Sequence, residues 1–284
     1  MKALITGAYG QLGSALRISA PRGIEIAGYG SSDLDIARRA DVAEVVERER
    51  PDFILNAAAY TAVDKAEQNE AAALAVNGHA VGYLAEAAGR IGARLVHVST
   101  DFVFDGRAGS PYRTDAPPQP LGVYGRTKLV GEQMAGDALV VRTAWVYGPK
   151  GSNFVRTMLR LMRERPEVRV VADQIGTPTY APQLAHALWG LAQLGESGLH
   201  HYTDAGAASW YDFAVAIQEE ALALGLLDEA VPVIPIATAD FPTPAKRPSY
   251  SVLDKRVTYA ALGKPAPHWR VNLRLMLNEI KVDG

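Results

Sequence analysis

Residues 1–13 read Met-Lys-Ala-Leu-Ile-Thr-Gly-Ala-Tyr-Gly-Gln-Leu-Gly, and this stretch decides the fold. The apolar run Lys2–Thr6 predicts a strand, and a helix is predicted to follow it. Between them, Gly7 allows a sharp turn, Gly10 lets the backbone approach a pyrophosphate, and Gly13 lets the helix pack closely on a sheet. Since a helix N-terminus offers unpaired N–H groups to an anion, the stretch predicts a dinucleotide-binding unit.

Outward from this unit, short apolar strands alternate with longer helical stretches over the first two-thirds of the chain. Phe53–Asn56 and the segments 94–99 and 138–142 are nearly continuous apolar runs, which is typical of a parallel sheet covered by helices on both faces. We therefore predict an α/β fold with a Rossmann-type doubly wound parallel sheet. Ligands of such sheets bind beyond the carboxyl ends of the strands.

The domain organisation follows from where this alternation weakens, which is beyond Gly148. We predict a dinucleotide-binding domain over residues 1–148. Residues 149–284 are expected to form mostly a smaller C-terminal substrate-binding lobe, while elements near 168–202 pack back on the first domain.

The composition excludes several classes of protein. The 284 residues include 29 basic and 31 acidic side chains, so the net charge of −2 indicates neither nucleic acid nor an anionic membrane as a partner. Cysteine is absent, which excludes disulfides, thiol nucleophiles and cysteine-bound metal centres. The N-terminus reads as a strand rather than a targeting signal, and no apolar run approaches the roughly 18 residues of a membrane span. We therefore expect a cytoplasmic protein.

A tyrosine and a lysine, Tyr124 and Lys128, stand four residues apart on one face of a predicted helix. A free phenol is a weak acid at neutral pH, and a nearby positive charge is expected to lower the pKa of Tyr124 toward the working range. A third group is needed to hold a carbonyl oxygen as negative charge develops on it. Either Ser99 or Thr100, at the end of a predicted strand, could do this.

The cofactor preference is left open by the residues after the second strand. The glycine spacing G-x-x-G-x-x-G is typical of short-chain dehydrogenase/reductase enzymes, in which an acidic residue binds the adenosine ribose. Asp33 and Asp35 lie a few residues beyond the end of the second strand, where that acidic residue is expected, whereas Ser31 and Ser32 would tolerate a 2′-phosphate. The sequence therefore predicts NADPH or NADH without choosing between them.

Several longer motifs resemble the dTDP-4-dehydrorhamnose reductase family of extended short-chain reductases. They lie at residues 7–13, 56–67, 98–106, 124–128, 142–148, 173–179 and 247–248, so the resemblance covers nearly the whole chain. It implies an oxidoreductase of polysaccharide biosynthesis that reduces the C4 ketone of dTDP-4-dehydro-L-rhamnose to give dTDP-L-rhamnose.

The resemblance also implies roles for single residues. Thr100 would bind the C4 oxygen, Tyr124 would protonate it, and Lys128 would tune Tyr124 and hold the nicotinamide ribose. The implied cofactor-binding residues are Gly7, Gly10, Gln11, Leu12, Gly13, Asp35, Ile36, Ala57, Ala59, Tyr60 and Thr61, together with Tyr124 and Lys128. The implied substrate-binding residues are Thr100, Asp101, Phe102, Tyr124, Trp145, Asn153 and Arg247.

Arg247 has two readings that the sequence does not separate. Arginine recognises phosphate through two parallel hydrogen bonds, so Arg247 is a candidate for the diphosphate of a sugar nucleotide. It is equally able to form a structural ion pair. His97, in an apolar strand, is interpreted as a core residue.

Two positions depart from the family pattern. Phe102 stands where a tyrosine is common, which removes one hydroxyl from the sugar pocket. Ala15 stands where some members carry a glutamate that helps bind a metal between subunits. We therefore expect no metal, although a homodimer without one is compatible with the resemblance.

Two other functions remain open at this stage. A sugar-nucleotide epimerase or epimerase-reductase of the same superfamily would use the same tyrosine and lysine. A regulatory subunit could keep the fold and bind nucleotide without catalysis, although it would have no chemical need for Thr100, Tyr124 and Lys128 together.

Overall fold

The computed structural model describes residues 1–283, and of the predicted C-terminal lobe only Gly284 lies outside this range. The strands are β1 (Lys2–Thr6), β2 (Glu25–Tyr29), β3 (Phe53–Asn56), β4 (Arg94–Thr100), β5 (Leu139–Thr143), β6 (Val146–Tyr147), β7 (Val168–Val171), β8 (Ile175–Gly176), β9 (Thr179–Tyr180), β10 (Gly198–His201), β11 (Ala208–Ser209) and β12 (Val233–Ile236).

The helices are α1 (Gln11–Ile18), α2 (Arg39–Glu49), α3 (Val63–Ala66), α4 (Glu70–Leu74), α5 (Ala80–Ile91), α6 (Val123–Met134), α7 (Phe154–Glu164), α8 (Ala181–Leu194), α9 (Trp210–Ala223), α10 (Arg256–Leu262) and α11 (Trp269–Asp283). A π-helical turn over Ala75–His79 joins α4 to α5. A short 3₁₀ turn, Asp101–Val103, follows β4.

The central sheet has six parallel strands in the order β2-β1-β3-β4-β5-β10. This confirms the predicted doubly wound parallel sheet. The strand order reverses between β1 and β3, and the crevice beyond the carboxyl ends of such strands is where ligands of open sheets bind.

Helices cover both faces of this sheet. On one face, Leu16 of α1 packs with Leu184 and Leu188 of α8. On the other face, Val46 of α2 and Leu84 of α5 pack on the sheet. All five side chains are almost completely buried, and burying a leucine or valine contributes about 1.5–3 kcal/mol each.

A second layer is built from α7, α9 and α11 around the β7–β12 pair. Of the elements between 168 and 202, α8 and β10 lie on the central sheet, whereas β7 belongs to this second layer. Helix α10 packs on α8 and β10. Along residues 1–283, no helix has the length and apolarity that crossing a membrane requires.

Candidate active site

A cleft of about 950 Å³ opens at the carboxyl ends of β1, β3, β4 and β5. It brings together most of the residues singled out from the sequence. Those on its wall are Gly7, Gly10, Gln11, Leu12, Asp35, Ile36, Ala57, Ala59, Tyr60, Thr61, Thr100, Asp101, Phe102, Tyr124, Lys128, Trp145 and Arg247. Gly13 and Asn153 do not line it.

The glycine turn between β1 and α1 has the geometry of an anion cradle. Gly7 has a φ of +64°, and a Cβ there would lie 2.7 Å from the Ala58 backbone nitrogen. Gly10 caps α1 without a side-chain hydrogen bond, so the first N–H groups of the helix have no side-chain acceptor. Gly13 lies behind the turn, where a Cβ would lie 2.1 Å from the Gly7 carbonyl oxygen. The turn can therefore hold a pyrophosphate, while Gly13 serves the packing of α1.

At the end of the cleft expected to bind the adenosine, the two aspartates already accept hydrogen bonds from the backbone. Asp33 Oδ2 accepts the Gly30 N–H at 2.9 Å, and Asp35 Oδ1 accepts the Ala37 N–H at 3.0 Å. Asp35 still lines the cleft, as do Ser31 and Ser32.

Thr100 and Tyr124 bring two hydroxyl groups together at the centre of the cleft. Thr100 ends β4, Tyr124 lies in the first turn of α6, and both residues line the cleft close enough for the Thr100 hydroxyl to affect the pKa of Tyr124. Thr100 Oγ1 also donates to Asp101 Oδ1 at 3.0 Å. Burial raises the pKa of Tyr124 to about 12; the nearby Thr100 hydroxyl opposes this rise, and the Asp101 carboxylate adds to it. At neutral pH Tyr124 therefore carries its proton.

Asp101 is a buried carboxyl group beside this pair. Burial raises its pKa to about 6, although the nearby Ser251 hydroxyl and the hydrogen bond from Thr100 oppose the rise. One of its oxygens, Oδ2, has no protein partner in the described chain.

Lys128 lies one turn after Tyr124, with its nitrogen directed toward β4. Nζ donates to the Val98 carbonyl oxygen at 2.6 Å and lies 3.3 Å from His97 Nε2. Burial lowers the pKa of Lys128 to about 8, and Glu132 opposes this shift. The expected lowering of the pKa of Tyr124 by Lys128 is not observed, because burial dominates at Tyr124 and the Lys128 nitrogen is bound on β4.

The structure separates the two candidates at the end of β4. Ser99 Oγ donates to Glu132 Oε1 at 2.5 Å, and Glu132 forms a buried ion pair with Arg142, 2.6 Å between Oε2 and Nη2. Ser99 is thus hydrogen-bonded to this ion pair, while Thr100 is the residue that lies beside Tyr124 and affects its pKa.

Aromatic side chains form the wall of the cleft that faces the second layer. The rings of Trp145 and Trp210 are stacked with centroids 3.5 Å apart. Trp145 has a φ of +47°, a rare conformation for a bulky residue. The Phe102 ring packs edge-on against Tyr124 at 5.5 Å. The sequence analysis did not identify Trp210 as a cleft residue. The only sequence signal is that it follows Ser209, which caps the N-terminus of α9.

Arg247 and Asn153 make structural contacts. Arg247 lines the cleft, but its guanidinium pairs with Asp64, 2.8 Å between Nη2 and Oδ2, and lowers the pKa of that carboxyl group. The ion-pair reading of Arg247 is therefore observed. Asn153 caps α7 and donates to Gln11 Oε1 at 3.0 Å, so it contacts the glycine turn through Gln11. Within the described residues, no group of three or more histidine, aspartate or glutamate side chains could hold a metal ion.

Comparison with known proteins identifies relatives along the whole chain. The family model described as RmlD substrate binding domain matches residues 1–282. The chain is 43% identical to dTDP-4-dehydrorhamnose reductase of Burkholderia thailandensis over 295 aligned residues, covering 99% of each protein.

Two solved structures are similar throughout. One is a dTDP-4-dehydrorhamnose reductase from Clostridium acetobutylicum, with 38% identity and a TM-score of 0.93 over 99% of this chain and 100% of that one. The other is the Bacillus anthracis enzyme in complex with NADP, with 36% identity and a TM-score of 0.92 over 98% and 99%.

Proposed function

The chain belongs to the dTDP-4-dehydrorhamnose reductase family, and from this premise we propose that it reduces the C4 ketone of dTDP-4-dehydro-L-rhamnose to dTDP-L-rhamnose with NADPH or NADH. One observation supports the proposal more than any other. The neighbouring residues Thr100 and Tyr124 line the same cleft as the glycine turn. A carbonyl oxygen and a dinucleotide would therefore meet there.

The chain offers a fitting site for the cofactor. The backbone of Gly7 and Gly10 and the first N–H groups of α1 would hold the pyrophosphate, because they are uncapped and no side chain fills the turn. Asp35 and Ile36 would contact the adenosine, and the strip containing Ala57, Ala59, Tyr60 and Thr61 would border the nicotinamide. When bound, the reduced nicotinamide supplies the hydride.

The chain's own part in the reaction is to bind the C4 oxygen and protonate it. Thr100 Oγ1 would donate to that oxygen as negative charge develops, and Tyr124 would give up its proton, which it holds at neutral pH. The Lys128 ammonium, one turn along α6, would stabilise the phenolate that remains. Asp101, Phe102 and Trp145 border the space left for the sugar.

For Arg247 to bind a phosphate of the substrate, its guanidinium would have to leave the ion pair with Asp64. Its side chain is one-quarter exposed and lies on the cleft wall, so it can reach a ligand without rearrangement of the fold. Homodimer formation and a cytoplasmic location stay predictions.

The test is to follow the absorbance of NADPH, and separately of NADH, with the purified protein and dTDP-4-dehydro-L-rhamnose. We expect consumption of reduced cofactor in equal amounts with formation of dTDP-L-rhamnose. A product epimerised without net cofactor consumption would favour the epimerase. Binding of cofactor without oxidation by this or any other nucleotide-linked ketosugar would favour the non-catalytic subunit.

A further inference from the structure

A row of buried, hydrogen-bonded side chains runs beneath the cleft from Thr6 to Lys128. Asn56 Oδ1 accepts the Thr6 hydroxyl at 2.7 Å and the Ala58 N–H at 3.2 Å. Asn56 Nδ2 lies 3.1 Å from His97 Nδ1, and His97 Nε2 lies 3.3 Å from Lys128 Nζ. Each of these side chains is at least 98% buried, so water cannot replace a mismatched hydrogen bond.

The contact between Asn56 and the Ala58 N–H determines which group donates in each hydrogen bond of this row. The Ala58 N–H is a backbone donor, so the atom of Asn56 that faces it must be the carbonyl oxygen. The amide NH₂ of Asn56 therefore faces His97 Nδ1, which must supply a lone pair. A neutral imidazole that accepts at Nδ1 carries its proton on Nε2, and this N–H points at the Lys128 nitrogen.

The Lys128 nitrogen then faces a donor rather than an acceptor. An ammonium has three N–H groups and no lone pair, so it would oppose the His97 N–H. An uncharged amine resolves the conflict, because its lone pair accepts from His97 Nε2 while one of its protons goes to the Val98 carbonyl oxygen.

We propose that His97 is a positioning residue that acts through Lys128. Held by Asn56 with its Nε2 proton toward the Lys128 nitrogen, it opposes the ammonium and so lowers the pH up to which Lys128 keeps its positive charge. His97 is absent from the cleft wall and fully buried, so it reaches the reaction only through Lys128. The catalytic meaning of this role rests on the proposed reductase function, whereas the hydrogen-bond directions do not.

The other ionisable groups near Lys128 do not replace His97. On α6, Tyr124 lies one turn before it, and Glu132 lies one turn after it, paired with Arg142 of β5. Asp101 lies beyond the end of β4. The elements packed on the outer side of α6 contribute Asp64, Lys65, Glu67, Glu70, His79, Tyr83, Glu86 and Arg90. Within the described chain, none of these hydrogen-bonds to Lys128.

The hydrogen-bond directions can be tested without any substrate. Nitrogen NMR of ¹⁵N-histidine-labelled protein distinguishes protonated from unprotonated ring nitrogens, and the His97 signals among six histidines are those missing in His97→Gln. We expect protonated Nε2 and unprotonated Nδ1 throughout the range in which a free histidine titrates. A proton on Nδ1, or a doubly protonated ring near neutral pH, would overturn the proposal.

The effect on Lys128 is tested by titrating ¹³Cε-labelled lysine, with Lys128 assigned from Lys128→Met. In His97→Gln the amide can accept from Asn56 and donate to Lys128, so we expect the wild-type midpoint. In His97→Leu the donor is lost, and we expect the midpoint to rise by about one pH unit. An unchanged or lower midpoint in His97→Leu, or equal midpoints in the two variants, would contradict the proposal.

A second variant covers the case in which His97→Leu does not fold. In Asn56→Asp the carboxylate can accept a hydrogen bond from a protonated His97 Nδ1, which leaves the Nε2 lone pair toward Lys128 and should also raise the midpoint. An unchanged midpoint in Asn56→Asp would contradict the proposal. Should the expected NMR results hold in a protein that lacks reductase activity, the proposed function fails and the role of His97 in setting the charge of Lys128 stands.

Discussion

Replacing Tyr124 with phenylalanine removes the proposed proton donor and little else. The ring keeps its edge-on contact with Phe102 at 5.5 Å. Thr100 keeps its hydrogen bonds to Asp101 Oδ1 at 3.0 Å and from the Phe102 N–H at 3.2 Å, so no buried group loses its last partner. The free energy of unfolding should therefore change by no more than about 1 kcal/mol, the net contribution of one ordinary hydrogen bond.

The rate should change far more. Loss of one donor to a developing oxyanion costs about 10²–10³ in kcat, or about 2.7–4 kcal/mol, and loss of the proton source adds to it. We expect kcat for NADPH oxidation with dTDP-4-dehydro-L-rhamnose to fall by at least this factor, while the Kd of NADPH, measured by fluorescence titration, stays within about twofold of wild type.

The matched control is Tyr83→Phe, which removes a hydroxyl from α5 outside the cleft and should leave kcat unchanged. Full activity of Tyr124→Phe would refute the reasoning. A similar loss in the control would assign the effect to general damage.

Three further predictions concern packing, pH and metal. Gly13→Ala places a methyl group against the Gly7 carbonyl oxygen and should destabilise the fold by at least about 1–3 kcal/mol in chemical denaturation. Gly89→Ala, in a helix with open space around the Cβ, should instead stabilise it by about 0.5–1 kcal/mol; equal effects would contradict this account of the turn. Because the pKa of Lys128 is lowered to about 8, its ammonium is present below that pH and lost above it, so kcat/KM should fall as pH rises through about 8. A profile flat to pH 10, about the pKa of an ordinary lysine, would be inconsistent with a buried Lys128. Because Ala15 offers no metal ligand, EDTA should change neither the activity nor the oligomeric state measured by light scattering, and a shift in either would show that a metal takes part.

The central sheet and the glycine turn could be predicted because their determinants are local. Phe53–Asn56 is an apolar run with a single polar residue at its end, and the structure gives the strand the same bounds. The carboxyl ends of parallel strands meet at one edge of the sheet, so the strand end at Ser99 and Thr100 could be placed beside the glycine turn from sequence. The choice between these two residues depends on the contact of Ser99 with Glu132, which the strand pattern does not encode.

The remaining parts depend on contacts between distant segments. Arg247 pairs with Asp64 across 183 positions of sequence, and nothing near either residue distinguishes this ion pair from a phosphate site. The direction of Lys128 toward His97 depends on how α6 packs on β4, which four-residue spacing does not encode. Trp210 reaches the cleft only because the second layer places the start of α9 there.

A crystal structure of the protein with NADP and dTDP-L-rhamnose would test the central claim most directly, by measuring where the C4 hydroxyl lies. We predict that its oxygen lies within about 3.2 Å of both the Tyr124 hydroxyl and Thr100 Oγ1, with the pyrophosphate on the Gly7–Gly10 turn. A sugar whose C4 oxygen contacts neither hydroxyl, in a complex with the cofactor on that turn, would contradict it.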